Sequence, residues 1–229
     1  MIGGSSGIGL ETARQALEQG ADVVIASRSK AKLQAAKEQL NGSVSIHVLN
    51  TTDEEQVRGF FEEIGSYNHL VISAAETSGG KFLETDSEAS RQLFENKFWG
   101  QYYAAKYGAS QLTANGSITL FSGVVAYKKM VGSAALGAVN AAISNLGQTL
   151  ALELAPIRVN VVSPGIIDTP SRSKMSLDAR EQFYDTIADK LPVKRVGSAS
   201  DAAQSVLYLI QNTFVTGTVL HVDGGHRLI

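Results

Sequence analysis

The sequence has no cysteine among its 229 residues. This absence excludes a disulfide framework, a thiolate nucleophile and a thiolate metal site. Histidine is also scarce, and its four copies show no metal-ligand spacing, so we predict no metal site.

Charge of either sign is sparse as well. Charged residues make up 18% of the sequence and the formal net charge is −2, which leaves no basic surface for nucleic acid. No apolar run reaches the roughly 20 residues that span a bilayer, and no signal-peptide pattern opens the sequence. We therefore expect no nucleic-acid partner, no membrane partner and a cytoplasmic location. The 44% of hydrophobic residues suffices for one substantial core.

A glycine-rich turn at the start of the sequence precedes an amphipathic helix. Gly3, Gly7 and Gly9 carry no Cβ, so the backbone there can turn sharply and approach a pyrophosphate closely. The N-terminus of the helix offers N–H groups and partial positive charge to a phosphate. An ordinary glycine-containing loop is the alternative, but the helix and strand that follow favour a nucleotide site.

This turn should follow a buried strand, yet only Met1 and Ile2 precede Gly3. A parallel strand needs about five residues, so we predict that the first strand is truncated. It would lie in the middle of the sheet, where its loss leaves both neighbouring strands with unpaired backbone groups. We therefore expect that the natural protein begins upstream of Met1.

Strand and helix patterns alternate along the rest of the sequence. Strands are predicted over 21–26, 44–49, 69–73, 117–122, 158–162 and 219–222. The first helix is predicted over 11–19, and the second follows residues 27–29 and ends at about residue 40. Two further helices begin at capping sequences, one from 52–55 to about 64 and one from 85–88 to about 111. The last two are predicted over 133–155 and 199–210. This alternation, without linkers or repeats, predicts an α/β fold with a doubly wound parallel sheet in one domain over residues 1–229.

Four glycine- and asparagine-containing motifs follow one another in a fixed order. They are Gly3, Gly7 and Gly9; Asn96 and Gly100; Pro164 and Gly165; and Gly217, Val222, Asp223, Gly224 and Gly225. This order resembles the short-chain dehydrogenase/reductase family along essentially the whole sequence, with Ile2 in place of the family's threonine. The resemblance implies a Rossmann-type fold, a nicotinamide dinucleotide cofactor and oxidoreductase activity.

The end of the second family strand indicates which dinucleotide is preferred. Relatives that prefer NAD place an acidic side chain there to accept from the ribose hydroxyls. This sequence has Ser27 and Arg28 instead, which suit a 2′-phosphate, so we predict NADP(H) over NAD(H). A solvated arginine is the alternative. The positions that the resemblance assigns to the cofactor are Gly3, Ser5, Gly7, Ile8, Gly9, Ser27, Arg28, Asn50, Thr51, Ala74, Asn140, Pro164, Gly165 and Thr169. The segment 72–75 keeps small residues but lacks the family's amide there.

The catalytic positions are the largest departure from the family. The family uses a serine, a tyrosine thirteen positions later and a lysine four beyond that. Alignment on the flanking segments places these roles at Gly123, Leu136 and Asn140, none of which has a proton-donating acid or a charge. Asn96 is the only family position that is retained, and it cannot replace the acid. We therefore expect standard carbonyl reduction to be impaired.

Three groups are candidate substitutes for the missing acid. Ser122 lies one position early and is expected to point into the sheet packing. Tyr102 and Lys106 have the tyrosine–lysine spacing but lie in a different helix, where an ordinary i,i+4 pair is the simpler explanation. A loop carries Tyr127 followed by two lysines at 128 and 129, for which surface solvation is the simpler interpretation.

Three functions are compatible with these residues, and the third ranks below the other two. The first is an NADP(H)-dependent oxidoreductase with atypical or reduced catalysis, and the alternative is a catalytically inactive NADP(H)-binding regulatory or scaffold protein. A protein that has lost the cofactor as well ranks last. The resemblance also implies a homodimer or homotetramer formed through the helix at 133–155, and a substrate-covering segment at 169–190. The substrate itself stays unknown.

Overall fold

The computed structural model describes residues 1–74, 79–173 and 175–229, and within them the chain is an α/β fold with a parallel central sheet. The strands are β1 Val23–Ser27, β2 Val44–Val48, β3 Tyr67–Ile72, β4 Leu112–Phe121, β5 Arg158–Pro164, β6 Ile167–Asp168, β7 Gly197–Ser198 and β8 Val219–Val222. The α-helices are α1 Gly7–Glu18, α2 Lys30–Gln39, α3 Glu54–Ile64, α4 Ser87–Phe94, α5 Gly100–Gly108, α6 Ala134–Glu153, α7 Leu177–Ala188 and α8 Ala199–Gln211.

The central sheet has two groups of parallel strands. β1 pairs with β2, and β3, β4, β5 and β8 follow one another in a second group. The short strands β6 and β7 form a separate parallel pair. This arrangement confirms the α/β, doubly wound, Rossmann-type fold class that the alternation of patterns predicts.

Residues 1–3 join the two groups of strands. Ile2 makes isolated parallel bridges to Ala26 of β1 and Ile72 of β3. The Ile2 amide donates to the Val71 carbonyl over 2.9 Å, and the Gly3 amide donates to the Ala26 carbonyl over 2.8 Å. The position predicted for a truncated strand therefore holds two bridges rather than a full ladder, and these bridges align the glycine turn with the ends of β1 and β3.

Alternate residues of each strand face opposite helix layers, as the period of two in a β-strand requires. Ile25 packs against α1 and α2, whereas its neighbour Ala26 packs on the face covered by α3, α5 and α6. On β5, Val161 belongs to the α6 face and Val162 to the face covered by α8. Helices cover both faces of the sheet, which leaves the strand ends open to a ligand. None of the helices in the described ranges is long and apolar enough to cross a membrane.

The structure departs from the predicted helix at 85–111. A π-helix, Glu95–Trp99, interrupts it between α4 and α5, and the Gly100 amide donates to the Glu95 carbonyl five residues back. The Lys97 carbonyl, displaced by the wider turn, accepts from Gln101 Nε2 over 3.1 Å. A π-helix inserts one residue into the helical face, so it changes which side chains point towards the sheet.

Other boundaries differ by only a few residues. α1 begins at Gly7 rather than at residue 11, and β4 begins at Leu112 rather than at residue 117. The cap of α3 is Asp53, whose carboxylate accepts from the Gln56 amide over 3.0 Å. Ala75, the last small residue expected beyond β3, lies outside the described residues.

Candidate functional site

A cleft of about 780 Å³ opens where the carboxyl ends of the central strands meet the glycine turn. Open α/β sheets bind ligands at this edge. The described residues that line it include every position predicted for the cofactor and all four predicted catalytic positions: Gly3, Ser5, Gly7, Ile8, Gly9, Ser27, Arg28, Asn50, Thr51, Ala74, Asn96, Gly123, Leu136, Asn140, Pro164, Gly165 and Thr169. The fold thus brings these residues together, and their individual roles stay predictions.

The glycine turn is tight because its backbone atoms are in close contact. A Cβ at Gly9 would lie 2.2 Å from the Gly3 carbonyl oxygen, and a Cβ at Gly3 would lie 2.5 Å from the Ala74 amide nitrogen. Gly3 also has φ +88°, in the left-handed region that favours glycine. No side chain fits at either position, so both glycines are required by the packing of the turn on α1 and β3.

The N-terminus of α1 points into the cleft. Its N-cap residue Ser6 makes no side-chain capping hydrogen bond, and the first intrahelical bond runs from the Leu10 amide to the Ser6 carbonyl. The amides of the first turn before Leu10 have no intrahelical acceptor, as at any helix start. Gly7 has φ +54°, in the left-handed region that favours glycine, and a Cβ there would make an ordinary contact with Thr169, 3.4 Å from its Cβ. These features fit the pyrophosphate of a dinucleotide.

Cationic and hydroxyl groups line the cleft at the end of β1. Ser27 Oγ is buried and has no hydrogen-bond partner among the described residues, and Arg28 is exposed at the rim. Lys32, one turn into α2, lines the same rim, and sequence reasoning missed it. An exposed lysine on a helix gives no sequence signal, because only the folded structure shows that it lines the cleft together with Arg28. No carboxylate stands among the described residues that line the cleft.

The adjacent wall is formed by the residues that follow β2. Asn50 Oδ1 accepts from the Thr52 amide over 3.3 Å and from Thr52 Oγ1 over 3.0 Å. Thr51 is buried and packs near Gly100, where a Cβ would lie 2.8 Å from Thr51 Oγ1. Asn50 Oδ1 therefore accepts hydrogen bonds within its own turn, and the Nδ2 group of the same side chain is the part suited to a ligand.

The turn after β5 is locked against the C-terminal motif. The Gly165 amide donates to the Val222 carbonyl over 2.9 Å, and a Cβ at Gly165 would lie 2.8 Å from Asp223 Cα. Asp223 in turn accepts from the Gly225 and Arg227 amides. This packing fixes the direction in which the chain leaves Pro164 and carries Thr169 towards the glycine turn.

The π-helix places Asn96 and Lys97 on the cleft. Asn96 is half-buried, whereas Lys97 is only 3% exposed. Lys97 Nζ donates to the Ser122 carbonyl oxygen over 3.0 Å and to Asn140 Oδ1 over 2.5 Å. Burial lowers the pKa of the Lys97 ammonium to about 8. Lys97 was missed by sequence reasoning, because a lysine in an amphipathic helix is ordinarily solvent-exposed and nothing in the periodicity marks the π-helix.

The three positions aligned with the family's serine, tyrosine and lysine lie together on the wall of the cleft. Asn140 is buried in α6, and its amide fills the space beside Gly123: a Cβ at Gly123 would lie 2.7 Å from Asn140 Nδ2. Leu136 lies one turn earlier on α6 and packs against the hydrophobic core. The amide of Asn140 is therefore held on one side by Lys97 and abuts the Gly123 backbone on the other.

Of the first two alternative groups, Ser122 lines the cleft, whereas Tyr102 and Lys106 are not among the described residues that line it. Ser122 Oγ is buried, donates to the Asn140 carbonyl over 2.8 Å and accepts from Ser144 Oγ over 2.8 Å, so it ties β4 to α6. Lys106 pairs with Glu54 over 3.3 Å on the surface, where Tyr102 belongs to an aromatic cluster.

The loop tyrosine is also engaged outside the cleft. Tyr127 packs edge-on against His221 with ring centroids 4.5 Å apart and is 41% exposed. Lys129 Nζ donates to the Ala126 carbonyl over 2.9 Å, and Lys128 donates to the carbonyl of the last residue. None of these three residues is among those that line the cleft.

Comparisons with known proteins agree with this geometry. A family model described as enoyl-(acyl carrier protein) reductase matches residues 3–227. Carbonyl reductase family member 4 of Xenopus laevis is 31% identical over 236 residues, which cover 100% of this chain and 97% of that protein.

Two solved structures are similar to this chain in backbone structure as well as in sequence. A small-chain dehydrogenase in complex with NADPH is 37% identical, with a TM-score of 0.84 over 100% of this chain and 97% of that one. An NADPH-bound short chain oxidoreductase from Pseudomonas aeruginosa PAO1, described as containing an atypical catalytic center, is 29% identical, with a TM-score of 0.92 over 98% of this chain and 94% of that one. The chain belongs to the short-chain dehydrogenase/reductase family of oxidoreductases.

Proposed function

We propose that residues 1–229 form a single NADP(H)-binding domain that acts as an oxidoreductase with atypical or reduced catalysis. The observation that carries the proposal is the continuity of one cleft. It runs from the hydroxyl and cations at Ser27, Arg28 and Lys32, past the glycine turn and the N-terminus of α1, to Thr169 and Asn140. Its volume of about 780 Å³ and the order of its chemical groups suit a dinucleotide.

The cofactor preference rests on the groups after β1. A ribose that carries a 2′-phosphate brings about two negative charges, which the Arg28 guanidinium and the Lys32 ammonium attract. An unmodified ribose would need an acceptor for its hydroxyls, and Ser27 offers one hydroxyl where NAD-preferring relatives offer a carboxylate. NADP(H) is therefore preferred. Relatives of this fold have been solved with NADPH or NADP bound.

Different residues of the chain would bind different parts of the dinucleotide. The first-turn amides of α1 would hold the pyrophosphate, and the Pro164–Gly165 turn with Thr169 would orient the nicotinamide half. Asn140, fixed by its bond to Lys97, presents an uncharged amide to the ribose where the family presents an ammonium. When bound, the cofactor supplies or accepts a hydride.

A second candidate function is an inactive NADP(H)-binding regulator. It is favoured by the side chains at Gly123, Leu136 and Asn140, none of which can donate a proton as an acid. A positioned acid contributes about 10²–10⁴ in rate, so a site without any acid would bind the cofactor and turn over very slowly.

A binding titration tests the cofactor assignment. The protein is titrated with NADPH and with NADH, and Trp99, the one tryptophan of the sequence, serves as a partial fluorescence reporter. We expect tighter binding of NADPH. Arg28→Ala should weaken NADPH about 10–100-fold, since a charge-assisted hydrogen bond is worth about 1.5–3 kcal/mol, and should leave NADH nearly unchanged.

The matched control is Lys37→Ala, an exposed lysine of α2 that does not line the cleft. It should leave both affinities unchanged. Equal losses for NADPH and NADH in Arg28→Ala would contradict a 2′-phosphate contact. Turnover over a panel of aldehydes, ketones and alcohols then separates the two candidates, because only the oxidoreductase converts NADPH. Size-exclusion chromatography of the same sample tests the proposed homodimer or homotetramer.

A further inference from the structure

Lys97 is the most unusual side chain of the cleft. Lysine is almost never fully buried in proteins unless it is paired, yet Lys97 is 3% exposed. Its hydrogen bonds run to two uncharged oxygens, the Ser122 carbonyl and Asn140 Oδ1. The ion pairs of the described residues do not include it. An ammonium held by neutral groups away from water destabilises the fold, and such arrangements are characteristic of functional sites.

The environment of Lys97 also sets its proton affinity. Burial is the cause that lowers its pKa to about 8, and no charged group from the packed elements β4 and α6 contributes to that shift. The groups that Lys97 contacts there, the Ser122 carbonyl and Asn140 Oδ1, are uncharged. The Ser122 and Ser144 hydroxyls, which donate to the Asn140 carbonyl, are uncharged as well. Near neutral pH the amine is still mostly protonated, but it releases its proton far more readily than a solvated lysine does.

The other titratable groups of the cleft are unsuited to donating a proton. Among the described lining residues they are Arg28, Lys32 and Arg172. A guanidinium does not release its proton in proteins. Lys32 is exposed on α2 after β1, so water solvates its ammonium group. Lys97 is thus the one buried acid of the described cleft.

The Lys97 ammonium has a third N–H group beyond the two that its hydrogen bonds use. A lysine ammonium has three N–H donors, and the hydrogen bonds within the described residues use two of them. These two bonds anchor Nζ between β4 and α6, at the wall that also carries Gly123 and Leu136. A substrate at that wall would meet Lys97 either directly or through one water molecule.

We propose that Lys97 is the proton donor for carbonyl reduction in this site. The inference rests on the proposed function. The carbonyl carbon accepts the hydride supplied by the reduced nicotinamide, and the C=O π electrons move to oxygen. That oxygen takes a proton from the Lys97 ammonium, which leaves an alcohol, an oxidised nicotinamide and a neutral amine. The amine regains its proton from solvent. Asn140 acts as a positioning residue, because its Oδ1 holds the ammonium.

Two substitutions separate proton donation from charge. Lys97→Met removes both the charge and the proton at nearly constant length, whereas Lys97→Arg keeps the charge but has no transferable proton. Under single-turnover conditions with NADPH and a carbonyl substrate, both variants should lose about 100-fold or more in hydride-transfer rate. The exposed lysine variant Lys37→Met should match the wild type. NADPH affinity and circular dichroism report whether each variant stays folded and loaded.

A measurement without substrate gives a second readout. In protein labelled with ¹³C at lysine Cε, one resonance should titrate near pH 8 and be missing from Lys97→Met. The wild-type reduction rate should fall as pH rises through the same value, since the donor is then deprotonated. Titration of that resonance at the ordinary lysine pKa of about 10.4 would overturn the inference.

The outcomes distinguish this inference from the function on which it rests. Wild-type protein that binds no NADPH, or that binds it without any turnover, contradicts the proposed oxidoreductase and the inference together. Wild-type turnover that survives in Lys97→Met overturns the inference alone. Turnover that survives in Lys97→Arg but not in Lys97→Met also overturns it, because it assigns Lys97 a charge role only.

Discussion

Gly123 and Asn140 form one sterically coupled unit, and a double-mutant cycle measures the coupling. In Gly123→Ala the added Cβ would lie 2.7 Å from Asn140 Nδ2 and 3.4 Å from its Cγ. The backbone of Gly123 is extended, with φ 169°, so alanine meets no backbone strain there. The Asn140 amide cannot easily swing away, because its Oδ1 accepts from Lys97. The whole effect of the substitution therefore comes from the contact with Asn140.

The expected magnitudes follow from overpacking. Gly123→Ala should lower the free energy of unfolding by about 1–3 kcal/mol, as extra methyl groups do in packed interiors. In an Asn140→Ala background the contact is gone, so the same substitution should cost less than about 0.5 kcal/mol. Asn140→Ala alone should also destabilise, by about 1–3 kcal/mol, because it removes an acceptor of the buried Lys97 ammonium.

Urea denaturation followed by circular dichroism measures all four corners of the cycle. Gly59→Ala in α3 is the matched control, since a Cβ there meets no atom within 4 Å. It should stabilise the protein by about 0.5–1 kcal/mol through helix propensity. The reasoning is refuted if Gly123→Ala costs the same with and without Asn140. If the coupling is present, a serine cannot be restored at position 123 without moving Asn140.

Two further predictions test the cofactor turn and an electrostatic contribution to stability. Gly9→Ala places a Cβ 2.2 Å from the Gly3 carbonyl oxygen, so strain of about 1–3 kcal/mol should weaken NADPH binding about tenfold in a fluorescence titration; unchanged affinity would contradict the close contact. The pKa of Asp201 is lowered mainly by its hydrogen bond to Arg195, so the carboxylate stabilises the fold above its ordinary pKa of about 3.9 and loses that effect as the pH falls. The difference in unfolding free energy between wild type and Asp201→Asn should therefore shrink between pH 6 and pH 3, and a constant difference would contradict this.

The fold and the dinucleotide end of the cleft were predictable from sequence because their signals are local. Gly3 and Gly9 are required by close contacts of the turn, and Gly7 has φ +54°, in the left-handed region that favours glycine. Buried strands such as β5 appear as short apolar runs between helical patterns. The order of the motifs then fixes which strand ends meet, and the structure brings the predicted cofactor positions to one cleft.

The chemistry of the other end depends on tertiary contacts that no local pattern encodes. The helical periodicity of residues 85–111 hides the π-helix, since one inserted residue alters the facing of side chains without changing composition. Lys97 is therefore indistinguishable in sequence from a solvated lysine, although it is buried against Asn140. The same holds for the contact between Gly123 and Asn140, which joins β4 to α6. The sequence shows that positions 123, 136 and 140 lack an acid, and the structure shows that Lys97 lies beside Asn140.

The most direct test of the central claim is a calorimetric titration of the wild-type protein with NADPH and with NADH under identical conditions. The account predicts one NADPH site per chain and an affinity for NADPH at least about tenfold above that for NADH, which is about 1.4 kcal/mol. Binding of neither dinucleotide, or tighter binding of NADH, would contradict it.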